Sequence, residues 1–168
     1  MRHIISILLQ NEAGALSRVA GMFASRGYNI ESLSVAPTQD VLVSRLTLMT
    51  SGSAAVVEQI LKQLGKLVDV VQVYDYAGHE HLEFELLLLK LQIEGPSARD
   101  VVECVRRHRG LILDESDSTR TVQLTGTGAE IDAFLDEVGN IAPILEVVRT
   151  GTVAIERGPT VLQTPVLI

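Results

Sequence analysis

The same order of secondary-structure signals occurs twice along these 168 residues, and this repetition constrains the fold more than any other feature. In the first half, an apolar strand pattern at residues 3–9 is followed by a helical pattern, two more strand patterns, a second helical pattern over 57–64 and a last strand. The first helical repeat consists of Leu16, Val19, Ala20 and Phe23. Two interleaved β-α-β units predict a four-stranded antiparallel sheet with both helices on one face.

The second half repeats this order, so the sequence predicts an α+β protein with two ferredoxin-like (βαββαβ) domains. The polar stretch AGHEHL predicts a linker over residues 77–82, between a first domain at 1–76 and a second at 83–158. Within the second domain, residues 144–156 predict one strand with a bend at Gly151. The tail, 159–168, has two prolines and no periodicity, which is typical of a loose or partner-bound end.

Charge and cysteine content narrow the classes of function. The formal net charge of −7 disfavours a nucleic-acid partner, and no Lys/Arg-rich run suggests a membrane surface. The apolar run at the N-terminus is about half as long as a membrane helix and has no cleavage site after it, so neither a span nor a signal peptide is predicted. The single cysteine, Cys104, cannot form an internal disulfide, which favours a reducing cytoplasmic location.

The titratable residues form no catalytic set in the sequence. His79 and His81 flank Glu80, but this spacing matches no usual metal-ligand pattern. His108 follows two arginines at a helix end, where positive charge suits the helix dipole, and Cys104 is expected to be a small core residue. His3 is expected at the surface of its strand. We therefore predict no catalytic residue and no metal ligand.

The junction Asn-Glu-Ala-Gly at residues 11–14 joins the first strand directly to the first helix and has two interpretations. Such a junction gathers unpaired backbone N–H groups at a helix N-terminus, where small anionic ligands bind. Alternatively, Asn and Gly serve only the geometry of a tight turn. Spacing alone favours the tight turn.

A second copy of the chain would change this junction's surroundings. The second strand lies at an edge of the predicted sheet, where two chains could pair side by side. The junction of one chain would then lie near Asn29 and Ile30 of the other, and Gly14 would let the backbone approach a bound ligand. A small apolar side chain could be held by Ile30, Leu33 or Leu16.

Several runs resemble the regulatory (small) subunits of acetohydroxyacid synthase, also called acetolactate synthase. In the first half these are NEAGALSRVAGMFASRGYNIESLSVAPT, SRLTL and KQLGKLVDVVQV. In the second half they are VQLTGTGAEIDAFL and ILEVVRTGTVAIERG. The resemblance implies that residues 1–76 form an ACT domain, the amino-acid-sensing version of the fold.

The resemblance also implies a function. Members of this family are not enzymes themselves. They activate a catalytic large subunit that uses thiamine diphosphate, magnesium and FAD, and bacterial forms confer feedback inhibition by valine, which binds between two ACT domains. No cofactor is then expected in this chain. The positions matching the valine site are Asn11, Gly14 and Asn29, flanked by Ala13, Ala15 and Ile30.

Other functions stay open at this point. The main alternative is a stand-alone ACT-type regulator that binds an amino acid and acts on another target. An enzyme built on the same fold is disfavoured by the missing acid, base and nucleophile. A purely structural oligomer would bind no ligand at all.

Overall fold

Strands and helices follow each other in the predicted order through both halves of the computed structural model, which describes residues 1–95 and 97–163. The chain divides into two compact units, residues 1–82 with the segment from Thr152 on, and residues 83–151. The elements are β1 (Arg2–Gln10), α1 (Ala15–Ser25), β2 (Ser32–Pro37), β3 (Val43–Ser51), α2 (Ala54–Leu64), β4 (Val70–Asp75), β5 (His81–Gln92), α3 (Ser97–Arg107), β6 (Leu111–Glu115), β7 (Thr119–Gly126), α4 (Gly128–Gly139), β8 (Ile144–Arg149) and β9 (Val153–Glu156).

In the first unit, an antiparallel sheet with strand order β2-β3-β1-β4 lies against α1 and α2. Alternate residues of β1 and β3 point toward the helices and are fully buried, as Ile7 opposite Leu46 illustrates. The helices add Val19, Phe23, Ile60 and Leu64 to this core. The strand order confirms the predicted ferredoxin-like arrangement.

The strand β9 packs against the face of this sheet that points away from the helices. Ile4, Tyr76 and Ala154 form a small buried cluster there. Arg45 of β3 donates to the carbonyl oxygen of Ala154 (2.9 Å) and to the hydroxyl of Tyr76. The strand β9 therefore packs with the first unit.

The second unit repeats the layout with an antiparallel strand order of β6-β7-β5-β8. Its core lies between this sheet and the helices α3 and α4. The buried residues of this core include Leu89, Val105, Phe134 and Val138. Cys104 is also fully buried in this cluster, which confirms its prediction as a small core residue. No helix in the described ranges is long and apolar enough to span a membrane.

Three details of the sequence prediction differ from the structure. Residues 144–156 form two strands rather than one bent strand, because Gly151 takes a left-handed φ of 76° between β8 and β9. The last residues of the predicted second domain, 83–158, thus pack with the first unit. The expectation of a surface His3 is wrong, because His3 is 6% exposed and its Nδ1 lies 2.9 Å from Asp75 Oδ2.

The predicted tail falls partly on described residues. Residues 159–163 form neither helix nor strand, and Leu162 is half-buried where it lines two cavities beside Arg45. Residues 164–168 lie outside the described part of the chain, so the prediction of a loose or partner-bound end is open there.

Candidate functional site

The junction between β1 and α1 ends in an uncapped helix N-terminus. Gly14 occupies the N-cap position with a φ of 90°, no side chain caps the helix, and its first turn contains no acidic residue. The backbone N–H groups of Ala13 and Gly14 make no hydrogen bond within the described chain. Several N–H donors therefore face solvent at a helix end that carries partial positive charge.

Two other helices show what a satisfied N-terminus looks like in this protein. Ser53 accepts a hydrogen bond from the N–H of Val56 at the start of α2. Thr127 and Glu130 form a reciprocal capping box at the start of α4, and hydrogen bonds from Thr127 lower the pKa of Glu130. The N-terminus of α1 has neither device, which leaves its donors available to an external carboxylate.

An arginine that is paired with a carboxylate lies beside this junction. Arg18, one turn into α1, is half exposed and forms a two-point ion pair with buried Asp69. The hydrogen bond from Arg18 holds the pKa of Asp69 below its usual value, while the same bond raises the pKa of Arg18. The Nη1 atom of Arg18 lies 3.1 Å from the place where a Cβ on Gly14 would be. The ion pair thus fixes a guanidinium directly over the glycine.

Asn11 ties the junction to the turn between β2 and β3. Its side-chain amide donates to the carbonyl oxygen of Val41 (2.9 Å) and accepts from Ser44 Oγ (3.0 Å). Its backbone N–H donates to the carbonyl oxygen of Leu42 (2.8 Å). Asn11 therefore positions the loop, and its carbonyl oxygen keeps a second lone pair for another donor.

Asn29 and Ile30 lie at the other end of the same sheet. The backbone carbonyl of Asn29 accepts from Thr50 Oγ1 (2.7 Å), and its exposed side chain makes no hydrogen bond in the described chain. Ile30 is half-buried against the core. Because Ser44 and Thr50 are six residues apart on β3, roughly 20 Å separates Asn29 from Asn11 within one chain.

The structure therefore brings the predicted site residues together in two groups. Asn11, Ala13, Gly14 and Ala15 form the junction, in which only Ala15 is buried. Asn29 and Ile30 form the second group, just before β2. A single chain does not join the two groups into one site.

Exposed apolar side chains connect the two groups along the edge strand β2. Leu33 and Val35 are 37% and 45% exposed, although they pair with fully buried Leu48 and Leu46 on β3 and face the helix side of the sheet. Leu16 of α1 is 39% exposed, whereas the sequence placed it in the core stripe of the helix. The buried stripe of α1 is Ala15, Val19, Met22 and Phe23.

Comparison with known proteins decides the family. A family model described as an AHAS small subunit-like ACT domain matches residues 5–72, and one described as the small subunit of acetolactate synthase matches residues 84–158. The acetolactate synthase isozyme 3 small subunit of Escherichia coli K12 is 48% identical, over 97% of this chain and 100% of its own length. The chain belongs to the acetolactate synthase small-subunit family.

Further relatives of this small-subunit family are similar over nearly the whole chain. A probable acetolactate synthase small subunit of Methanothermobacter thermautotrophicus is 40% identical, over 93% of each chain. The crystal structure of the acetolactate synthase small subunit of Thermotoga maritima superposes with a TM-score of 0.87 at 32% identity, covering 95% of this chain and 99% of that one. As a member of a small-subunit family, the chain is a non-catalytic subunit of an enzyme complex.

The ion pair between Arg18 and Asp69, beside the junction, was not predicted from the sequence. Arg18 and Asp69 are 51 residues apart, and the segment around Arg18 predicts only an ordinary exposed charge. The one available signal was Asp69 itself, a charged residue inside the otherwise apolar run LVDVV. Such a buried carboxylate requires a partner, although the sequence does not say which cation provides it.

Proposed function

We propose that the chain is the regulatory subunit of acetohydroxyacid synthase and confers feedback inhibition by valine. It would activate a cytoplasmic catalytic subunit that carries the thiamine diphosphate, magnesium and FAD. The observation that carries the valine site is the uncapped N-terminus of α1 at Gly14, with the Arg18 guanidinium above it. A ligand carboxylate would complete the hydrogen bonds that no side chain provides there.

A homodimer through β2 would bring the two groups of site residues together. β2 runs from the Asn29 end of β3 toward the Asn11 end, since Ser32 pairs with Met49 and Pro37 with Ser44. A two-fold related copy would run antiparallel to it, so that the Asn29 end of one chain meets the junction of the other. The same pairing would cover the exposed apolar residues of the edge strand.

The chemistry of the two groups suits a branched-chain amino acid. The junction offers donors for the carboxylate, and the exposed Asn29 amide of the second chain offers an oxygen for the ammonium group. Ile30, Leu33 and Leu16 would surround the side chain. Because a methylene is worth about 1 kcal/mol, leucine and isoleucine should act more weakly than valine rather than not at all.

Inhibition by valine requires that valine bind one state of the complex better than another. A ligand held between two chains fixes their relative arrangement and can favour one such state. A coupling of roughly 1–3 kcal/mol would change affinity about 5- to 150-fold.

The deciding experiment is calorimetric titration of the purified chain with valine, together with valine inhibition of the complex reconstituted with its catalytic subunit. Two variants are compared, Gly14→Ala and Gly14→Asp. Both strain the backbone, because φ is 90°, but only aspartate places a carboxylate where the ligand carboxylate is proposed to bind. We expect Gly14→Asp to lose binding and inhibition while activation persists, and Gly14→Ala to keep measurable binding.

The outcomes separate the competing functions. Full valine sensitivity in Gly14→Asp would overturn the proposed location of the site. A chain that binds valine but neither binds nor activates a thiamine-dependent synthase would favour the stand-alone ACT regulator instead. The match of residues 84–158 to the small-subunit model argues against that alternative, because it covers the half of the chain outside the ACT domain.

A further inference from the structure

A cysteine, a histidine and a glutamate converge between the two helices of the second unit. Cys104 lies in the last turn of α3, His108 directly follows that helix, and Glu137 projects from the last turn of α4. The thiol sulfur, a ring nitrogen and a carboxylate oxygen of these residues all lie within 4.8 Å of one another. Sulfur, imidazole and carboxylate are the donor types that zinc-class divalent cations take in proteins.

The contacts of the three side chains already orient them toward one point. His108 Nε2 lies 2.7 Å from Glu137 Oε2, and the imidazole ring packs 5.3 Å from the ring of Phe134. Arg107 binds the other carboxylate oxygen, Oε1, so Oε2 is the oxygen that faces the cluster. Hydrogen bonds from His108 and Arg107 hold the pKa of Glu137 below its usual value, so this carboxylate is ionised near neutral pH.

We propose that Cys104, His108 and Glu137 form a binding site for one divalent cation of the zinc class. Tetrahedral ligands at zinc distances are roughly 3.3–3.6 Å apart. The present separations, from 2.7 Å to at most 4.8 Å, bracket that range. Side-chain adjustments of about 1 Å would therefore suffice to close the three ligands around a cation.

The charges of the ligands balance in this site. Binding converts the Cys104 thiol to a thiolate and releases its proton to the solvent, because only the thiolate is a strong ligand. Burial raises the pKa of the free thiol, so the cation itself has to favour this ionisation. The thiolate and the Glu137 carboxylate together neutralise a dication, while Arg107 on Oε1 leaves a competing positive charge beside the site.

Solvent reaches the cluster at Glu137, whose side chain is 38% exposed, and a cavity lies beside His108. His108 and Arg107 line a cavity of about 350 Å³ that is also bordered by Phe84, Thr125 and Glu130. A water molecule from the solvent would supply the fourth ligand of a tetrahedral site. Arg107 and Arg109 line the cavity and disfavour a cation. Because Arg107 also competes for Glu137, removing Arg107 is expected to tighten binding.

Cobalt(II) titration of the full chain, without an affinity tag and after treatment with a chelator, tests the proposal. Because Cys104 is the only cysteine of the chain, a cobalt–thiolate charge-transfer band can come from no other residue. We expect one ion per chain with this band, no band in Cys104→Ser, and at least tenfold weaker binding in His108→Gln and Glu137→Gln. Arg107→Gln should bind more tightly than the parent.

A matched control uses the other pair of histidines. His79 and His81 flank Glu80 in the first unit, and His81 Nδ1 lies 2.8 Å from the carbonyl oxygen of His79. A double variant, His79→Gln with His81→Gln, should bind cobalt as the parent does. Zinc should also raise the thermal unfolding midpoint of the parent but not that of His108→Gln, a half-buried position where loss of folding is not expected.

Two results would overturn the proposal. One is cobalt binding without a thiolate band in the folded parent chain. The other is a band whose affinity is unchanged by both His108→Gln and Glu137→Gln, which would leave the cluster as an ion-pair network only. Neither result depends on valine, so the test is independent of the proposed regulatory function.

Discussion

Two features of Gly14 disfavour any residue with a Cβ at this position. Its φ of 90° is a region that side chains with a Cβ rarely adopt, and a Cβ there would lie 3.1 Å from Arg18 Nη1. Both constraints exist without any ligand. The tight-turn and the ligand-binding interpretations of this junction are therefore compatible, since the backbone that requires glycine also leaves the helix N-terminus open.

A Gly14→Ala variant should lower the free energy of unfolding of the first unit by about 1–2 kcal/mol, the usual cost of a left-handed residue with a Cβ. All three tyrosines belong to this unit, and the chain has no tryptophan, so tyrosine fluorescence during urea unfolding follows the first unit alone. Gly21→Ala is the matched control, because Gly21 is an exposed position within α1 where a Cβ meets nothing within 4 Å. That variant should be neutral or slightly stabilising. Equal losses in both variants would contradict the conformational argument.

Asp69 should make the first unit sensitive to acid. Its folded pKa lies below the ordinary value because Arg18 donates hydrogen bonds to it. The stabilisation is thus present above the ordinary carboxyl pKa, near pH 4, and is lost as the pH falls through the folded pKa. We expect Asp69→Asn to be less stable than the parent at pH 7, with a difference that shrinks below about pH 4.

Glu58→Gln provides the control for that titration. Glu58 is paired with Lys62 on the exposed face of α2, and its pKa is also lowered, chiefly by the hydrogen bond from Lys62. Exposed pairs of this kind contribute little to stability. A pH profile of Glu58→Gln that matched Asp69→Asn would show that the effect is not specific to the buried carboxylate.

The secondary-structure elements are predictable from the sequence where the spacing of apolar residues within one segment is sufficient to identify the element. The helical repeat of α2 at Val57, Ile60 and Leu64 is buried as the spacing requires, and the twofold βαββαβ order follows from the same kind of pattern. Leu16 and the strand β9 were assigned differently by the sequence, because their surroundings depend on distant segments. Periodicity shows that a face is apolar but not which element, or which second chain, covers it.

The edge strand β2 should control self-association. Val35 is 45% exposed on the helix side of an edge that has no further strand in the described chain. A Val35→Lys variant would place a charge in the proposed interface and should weaken dimerisation at least tenfold, which is about 1.4 kcal/mol. Sedimentation velocity over a range of concentrations measures this change. Leu113→Lys is the control, because Leu113 is similarly exposed on β6, the edge strand of the other sheet.

If Val35→Lys and Leu113→Lys both leave a dimer, the β2 edge is not the interface. Pairing through β2 would then not bring the junction of one chain close to Asn29 of the other. The proposed valine site would require another arrangement of the two chains. If only Leu113→Lys dissociates, self-association belongs to the second unit.

The chain as a whole is not a simple succession of two domains. Its path leaves the first unit after Leu82, forms the second unit and returns at Thr152. The returning strand β9 supplies Ala154, whose carbonyl oxygen accepts from Arg45 in the middle of the first sheet. The first unit therefore includes a strand that follows the second unit in the sequence. An isolated ACT fragment would lack this strand, which packs on one face of its sheet.

Two truncations test this dependence. A chain ending at Gly151 loses β9 and uncovers Tyr76, which is 2% exposed in the intact protein, together with Ile4. We expect its tyrosine-detected unfolding free energy to fall by roughly 2–4 kcal/mol, from lost apolar burial and the lost hydrogen bonds of Arg45. A chain ending at Gly158 keeps β9 and should stay within about 1 kcal/mol of the parent. Equal stability of the two truncated chains would mean that β9 contributes nothing to the first unit, and the sheet would then have to be stable with this face exposed to water.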